Sequence, residues 1–204
     1  MGSMSEHYYS EHPQSEVKEE TKQFTLLDHT FTFTMSSGVF SKKGIDYGTK
    51  LLIENFELPH VEGDLIDLGC GYGPIGISLA YRYQNRNILM IDINERAVQL
   101  AEKNAKQNSV RNVEVQQSDG FAAVKERPYA AIVSNPPIRA GKKVIYALFE
   151  KSKSYLVDGG ELWIVIQKKQ GAPSAIEYLS SIYDGADIVA RKKGYYIIRA
   201  RKQS

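Results

Sequence analysis

An α/β fold, with a mostly parallel sheet covered on both faces, is what this sequence predicts, and three observations predict it. From residue 64 onward short apolar runs alternate with helical patterns, the signature of strands joined by helical crossovers. A glycine-rich turn, Gly69-Cys70-Gly71-Tyr72-Gly73, separates the first of these runs from the first helical pattern, as in doubly wound sheets. The last two strand-like runs, 187–191 and 195–200, are joined only by Lys192-Lys193-Gly194. A parallel return needs about a dozen residues, so these two pair antiparallel.

Residues 1–23 are polar, lack apolar periodicity and read as a mobile arm, with Met1-Gly2-Ser3 ahead of Met4 as an expression scar. Residues 24–60 read as a small extension. Alternation through Phe31-Thr32-Phe33-Thr34 predicts a β-hairpin over 24–35 with its turn at Asp28-His29. Residues 38–44 read as a loop, and Leu51, Leu52 and Phe56 at helical spacing predict a helix over 47–56. Pro59 and Gly63 punctuate the chain before the main domain, 61–204. Within it, strands are predicted at 64–68, 87–92, 113–118, 129–134 and 161–167, and helices at 75–83, 95–108, 142–156 and 174–183. Asn94 suits the N-cap of the second helix, while Asp158-Gly159-Gly160 ends the third and turns the chain.

A chain of 204 residues can bury one continuous core. No apolar run approaches the roughly 20 residues that cross a bilayer, and no signal-peptide pattern opens the chain, so no membrane partner is expected. Cys70 is the only cysteine and makes no internal disulfide, which points to a reducing cytoplasm. His7, His12, His29 and His60 are scattered, and no metal site is expected. Charge is unevenly spread: residues 1–23 hold five acids and two lysines, whereas residues 139–204 hold thirteen Lys/Arg and six Asp/Glu. The basic end suits a polyanionic partner and equally a solvated surface.

Two motifs carry chemistry. In the first, Asp67 closes the first strand and Gly69, Gly71 and Gly73 follow before a helix near Ile75. Glycine lets a ligand approach the backbone, and a helix N-terminus favours an anionic group. The second strand ends at Asp92, whose carboxylate can accept ribose hydroxyls, with Ile93 beside it; the third ends at Ser118-Asp119, where Asp119 can accept an adenine amine. Gly71-x-Gly73-x-x-Gly76 also fits a dinucleotide fingerprint, so this motif alone leaves the nucleoside cofactor open. The second motif is Asn135-Pro136-Pro137, ending the fourth strand on the same sheet edge. If the Asn135 side-chain oxygen and the Pro136 carbonyl each accept one N–H, a planar amine is held with its lone pair aimed at a methyl donor. Asn135 thus belongs to both the catalytic and the cofactor-binding sets. Lys168 and Lys169 follow the fifth strand on this edge, and Arg139, Lys142 and Lys143 follow the prolines, a basic rim suited to phosphates.

Over residues 24–201 the chain resembles the small-subunit ribosomal RNA guanine-N2 methyltransferases, in a short single-domain bacterial branch. The residues carrying the resemblance are Gly38-Val39-Phe40-Ser41, Gly44-Ile45-Asp46-Tyr47-Gly48, the run 67–73, Ser134-Asn135-Pro136-Pro137 and Gly159-Gly160-Glu161-Leu162. The resemblance implies a Rossmann-like class I methyltransferase fold, with a seven-stranded sheet and a reversed last strand. It also implies S-adenosyl-L-methionine as cofactor, a guanine amine of 16S rRNA as acceptor, and ribosomal RNA or the small subunit as partner; the sequence leaves the oligomeric state open, with a monomer favoured. The family follows Asn-Pro-Pro with an aromatic residue that stacks on the flipped base; here Ile138 stands there, so Phe40 or Tyr47 is expected to supply the ring, Phe40 foremost. Ile138, Arg139, Lys142, Lys168 and Lys169 complete the expected substrate set. An adenine-N6 or glutamine-amide acceptor, and a catalytically silent RNA-binding or ribosome assembly factor, stay open. A nicotinamide oxidoreductase is disfavoured, having no use for Asn135-Pro136-Pro137.

Overall fold

The computed structural model describes residues 17–37 and 44–203. The chain begins with an antiparallel hairpin, β1 (Glu19–Leu26) and β2 (His29–Ser36), whose register closes at Leu26 opposite His29. The turn is therefore Leu27-Asp28 and not Asp28-His29; both residues have positive φ, 53° and 58°, the backbone of a tight primed turn that matches strand twist. β1 also begins earlier than the apolar pattern suggested, so residues 19–23 belong to a strand rather than a mobile arm. Their side chains lie in water on an exposed strand, which leaves no alternation to read, while the backbone still pairs from Glu19 to Ser36.

Helix α1 (Tyr47–Asn55) follows, capped by Asp46. The main sheet then assembles from β3 (Asp64–Leu68), β4 (Ile88–Asp92), β5 (Val113–Gln117), β6 (Tyr129–Ser134), β7 (Leu156–Gln167), β8 (Ala186–Lys192) and β9 (Tyr195–Arg201). Its order is β5-β4-β3-β6-β7-β9-β8, with β9 antiparallel to both neighbours and every other pair parallel. This is the seven-stranded Rossmann-like class I methyltransferase fold. Four helices cross over: α2 (Pro74–Arg82), α3 (Glu95–Gln107), α4 (Lys142–Tyr155) and α5 (Ala172–Ile182). Strand alternation divides the core: Leu65, Met90 and Trp163 pack with α1, α2, α3 and the hairpin, while Ile66, Leu89 and Ile164 pack with α4 and α5. Among the described residues no helix is long and apolar enough to cross a membrane.

β7 starts at Leu156, earlier than expected. Gly159 and Gly160 do not turn the chain out of α4; they lie in an irregularity where the register passes from Tyr129–Leu156 to Ala131–Glu161. β8 runs parallel to β7 through two antiparallel steps, so Lys192 and Lys193 reach the same edge as the other strand ends. Arg199 and Arg201 lie at the opposite edge. There they hold the buried Glu161 carboxylate, at 3.7 and 2.8 Å.

The outer edge of β2 is covered by side chains of α3. Asn104 accepts from Thr34 N at 2.8 Å and donates to Thr34 O at 2.9 Å. One turn on, Asn108 does the same with Thr32, at 2.9 Å each way. The fit is a near coincidence of repeats: four helical residues rise about 6 Å, and two strand residues about 6.8 Å. The buried Asn104 amide donates a further hydrogen bond to Tyr72 O at 2.8 Å, tying hairpin, α3 and glycine turn together.

Candidate active site

The glycine turn is held open from below and from the side. Gly69 and Gly71 have φ of 72° and 56°, and a β-carbon at either would meet nothing within 4 Å, so both leave a free approach to the backbone. Asp92 fixes the turn: its carboxylate accepts from Gly71 N and Asn94 N, each at 2.9 Å. Each carboxylate oxygen can take a second hydrogen bond, which leaves room for a hydroxyl donor. Gly73, with φ of 101°, is buried at the N-cap of α2 and faces Ile77. Gly76 serves packing, since a β-carbon there would sit 2.2 Å from the Met90 sulfur.

Asp67 is not on the cleft wall. Its side chain turns inward, where Oδ2 accepts from Gly76 N at 2.8 Å and Oδ1 is buried without a hydrogen-bond partner. Burial pushes its carboxyl up to about 7, against the pull of the Gly76 N–H and with the charge of Asp92 adding to the rise. The residue expected to touch a cofactor instead pins the start of α2. Cys70 lines the cleft, but burial pushes its thiol well above the ordinary range, with Asp67 and Asp92 adding, which fits a small filler and not a nucleophile.

Across the cleft stands Asn135, at the end of β6. Ser134 Oγ donates to Leu68 O at 2.9 Å and ties this strand end to β3. The Asn135 Nδ2 donates to Asp46 Oδ2 at 3.0 Å and to Thr49 Oγ1 at 2.9 Å. Asp46 in turn accepts from Thr49 N at 2.9 Å and from Thr49 Oγ1 at 3.2 Å. With Nδ2 turned onto Asp46 and Thr49, Oδ1 is the acceptor that Asn135 has left to offer. The resulting open cleft is lined by Asp46, Thr49, the turn Gly69-Cys70-Gly71-Tyr72, Pro74, Ile75 and Asn135.

Asp46 and Thr49 were not among the expected site residues. Their signal was the cap pattern Asp46-x-x-Thr49 ahead of Leu51-Leu52, which announces a helix start and says nothing of a partner near residue 135.

The remaining expected residues divide. Ile93 is 63% exposed beside Asp92, and Asp119 is exposed after β5. Ile138 sits in a short 3-10 turn, half-buried and packed against the second core. Arg139, Lys142, Lys168 and Lys169 are exposed; Lys142 lies 5.2 Å over the Tyr146 ring. Tyr47 lies off the cleft wall, 5.6 Å from the Tyr195 ring, with the Lys193 ammonium 4.7 Å over its face. Phe40 lies outside the described residues. Among the described residues no cluster of three or more metal-ligating side chains occurs.

The family described as methyltransferase small domain matches residues 30–199. An uncharacterized Bacillus subtilis (strain 168) protein, YbxB, is 58% identical over 200 residues, covering 98% of this chain and 100% of that protein. Ribosomal RNA small subunit methyltransferase C of Haemophilus influenzae (strain PittGG) is 35% identical over 159 residues, covering 75% of this chain and 47% of that protein. The chain thus spans about half the length of that relative. Among solved structures, the T. thermophilus 16S rRNA N2 G1207 methyltransferase in complex with AdoMet and guanosine superposes with a TM-score of 0.77 at 21% identity, over 91% of this chain and 51% of that one.

Proposed function

Since the chain belongs to the methyltransferase small domain family, we propose that it methylates the exocyclic N2 amine of a guanine in small-subunit (16S) ribosomal RNA. S-adenosyl-L-methionine, when bound, supplies the methyl group, its S–C electron pair staying on sulfur as the new N–C bond forms. The open backbone at Gly69 and Gly71, with Asp92 beside it and Ile93 exposed next door, is the cradle that fits this cofactor.

The observation that carries the reading is the Asn135 amide, whose Nδ2 is turned onto Asp46 and Thr49 on the wall of the same cleft as the glycine turn. Its Oδ1 and the Pro136 carbonyl each accept one N–H of the guanine amine. This draws the nitrogen out of conjugation and stabilises the positive charge that develops on it. The N-methylated cation is acidic enough to lose its proton to water, so no strong base is needed. Pro137 fixes the backbone and adds no competing donor. The names of the Haemophilus relative and the Thermus structure support rRNA and guanine as substrate.

The exposed Lys168, Lys169, Lys192 and Lys193 at the carboxyl edge, with Arg139 and Lys142, hold the RNA backbone. Residues 61–204 form the methyltransferase domain and 24–60 an extension that lends Asp46 and Thr49 to the cleft wall, in a cytoplasmic monomer. Ile138, half-buried against the second core, offers no ring, which leaves base stacking to Phe40. It also favours, as a second reading, a silent RNA-binding factor of the same fold.

Nucleoside mass spectrometry of undermethylated rRNA, incubated with the protein and labelled cofactor, tests this. N2-methylguanosine is expected with the native protein and absent with Asn135→Ala, while cofactor affinity stays within about threefold, well below the tenfold step of 1.4 kcal/mol. Label on adenine would refute the acceptor, and no label the activity. Near-native turnover by Asn135→Ala would refute the amine grip.

A further inference from the structure

We propose that Asp46 is a positioning residue: its charge sets which way the Asn135 amide faces, and so makes the cleft present an acceptor to the amine. This deepens the reading above and rests on it. An amide can stand in a site in two flips that differ only in exchanging O and N–H. One group here discriminates between them. The Asp46 carboxylate has no donor, and its Oδ2 lies 3.0 Å from Asn135. Turning the Asn135 oxygen toward it would set two lone pairs against each other.

Thr49 relays the same polarity. Its hydroxyl donates to Asp46 Oδ2 at 3.2 Å, and so must accept from Asn135 at 2.9 Å. Every donor in the cluster is directed to the one carboxylate, either directly or through the Thr49 hydroxyl. The third tie, Thr49 N to Asp46 Oδ1 at 2.9 Å, is the cap of α1. The start of α1 therefore places the charge that orients a residue 89 positions further on.

Asp46→Asn separates this role from a structural one. Asparagine caps helices as well as aspartate does, so the introduced carbonyl keeps the Thr49 N–H and the fold. Its other arm now donates. Asn135 flips to meet it, Thr49 rotates its hydroxyl, and the network is satisfied again with all polarities reversed. The cleft then shows the amine an N–H where it had an oxygen. The expected result is a native melting temperature, little change in KM for either substrate and a kcat lower by about 100-fold, the scale of losing one oriented polar group at a reacting centre.

Adding Asn135→Asp to Asp46→Asn restores an acceptor facing both ways, and should recover at least about tenfold of that loss. The exchange rate of the Asn135 side-chain amide protons, followed by 15N NMR and identified by their disappearance in Asn135→Asp, reads the orientation without any substrate. They are expected to be protected in the native protein and to exchange about tenfold or more faster in Asp46→Asn, where they face solvent. Should that variant fold poorly, Thr49→Val tests the relay: faster exchange is expected, with Thr49→Ser restoring native protection.

Unchanged amide exchange in Asp46→Asn, or a kcat within about threefold of native, overturns the proposal. If Asn135→Ala keeps its turnover, the amine grip fails instead, and the exchange measurement still decides what orients the amide.

Discussion

The side chain of Asn104 offers a sharp test of how the hairpin is held. Asn104→Ala removes one acceptor and two donor interactions at a fully buried position, those with Thr34 N, Thr34 O and Tyr72 O. A neutral hydrogen bond contributes about 1 kcal/mol net, and a buried group left unsatisfied costs up to the full desolvation penalty of about 1–3 kcal/mol. Three such bonds put the loss at about 3–4 kcal/mol, a large share of the roughly 5–15 kcal/mol that holds a domain folded. For a chain of this size the melting temperature should fall on the order of 10 °C. Asn108→Ala is the control. It gives up its pair of bonds to Thr32 and one to Asn104 O at a half-buried position, where water takes over, so about 1 kcal/mol is expected. Urea titrations of both variants, read by far-UV circular dichroism, give the comparison. Equal losses, or less than about 1 kcal/mol for Asn104→Ala, would show that the strand edge does not depend on these amides.

Two other outcomes follow from the site. Asp67 holds its proton more tightly when folded than unfolded, because its folded pKa of about 7 exceeds the ordinary 3.8. Its contribution to stability is therefore full below about pH 4 and is lost as pH rises through 7. Asp67→Asn, which keeps an acceptor for Gly76 N, should raise the urea midpoint relative to native at pH 8 and not at pH 4; a pH-independent difference would refute the inward, protonated carboxyl. Asp92→Ala should weaken cofactor binding by about 1.5–3 kcal/mol, through loss of hydrogen bonds to a charged group. Calorimetry showing undiminished affinity would place the ribose elsewhere.

The sheet was legible because its strands are short apolar runs buried on both faces and punctuated by glycine or proline, as at β3 and β6, whose bounds match the expected ones. The start of β1 was not, because Glu19, Glu20 and Lys22 sit on an exposed strand where pairing is a matter of backbone alone. Of the site, the positions of Gly69, Gly71, Asp92 and Asn135 could be read from strand ends. The inward turn of Asp67 could not, since a motif fixes a residue's place along the chain but not which side of the turn its side chain takes. Asp46 and Thr49 escaped because their partner is 86–89 residues away. Helical phase and capping chemistry describe neighbours along one element, and the tie between α1 and β6 is made only when the layers close.

The asparagine sheath along β2 also sets a limit on length. Its two repeats differ by about 0.8 Å per step, so a third amide would arrive some 1.6 Å out of phase, beyond what hydrogen-bond geometry tolerates. A helix can impersonate a neighbouring strand for two rungs and then falls out of step. A longer hairpin on this scaffold would leave bare rungs that only a genuine strand could close.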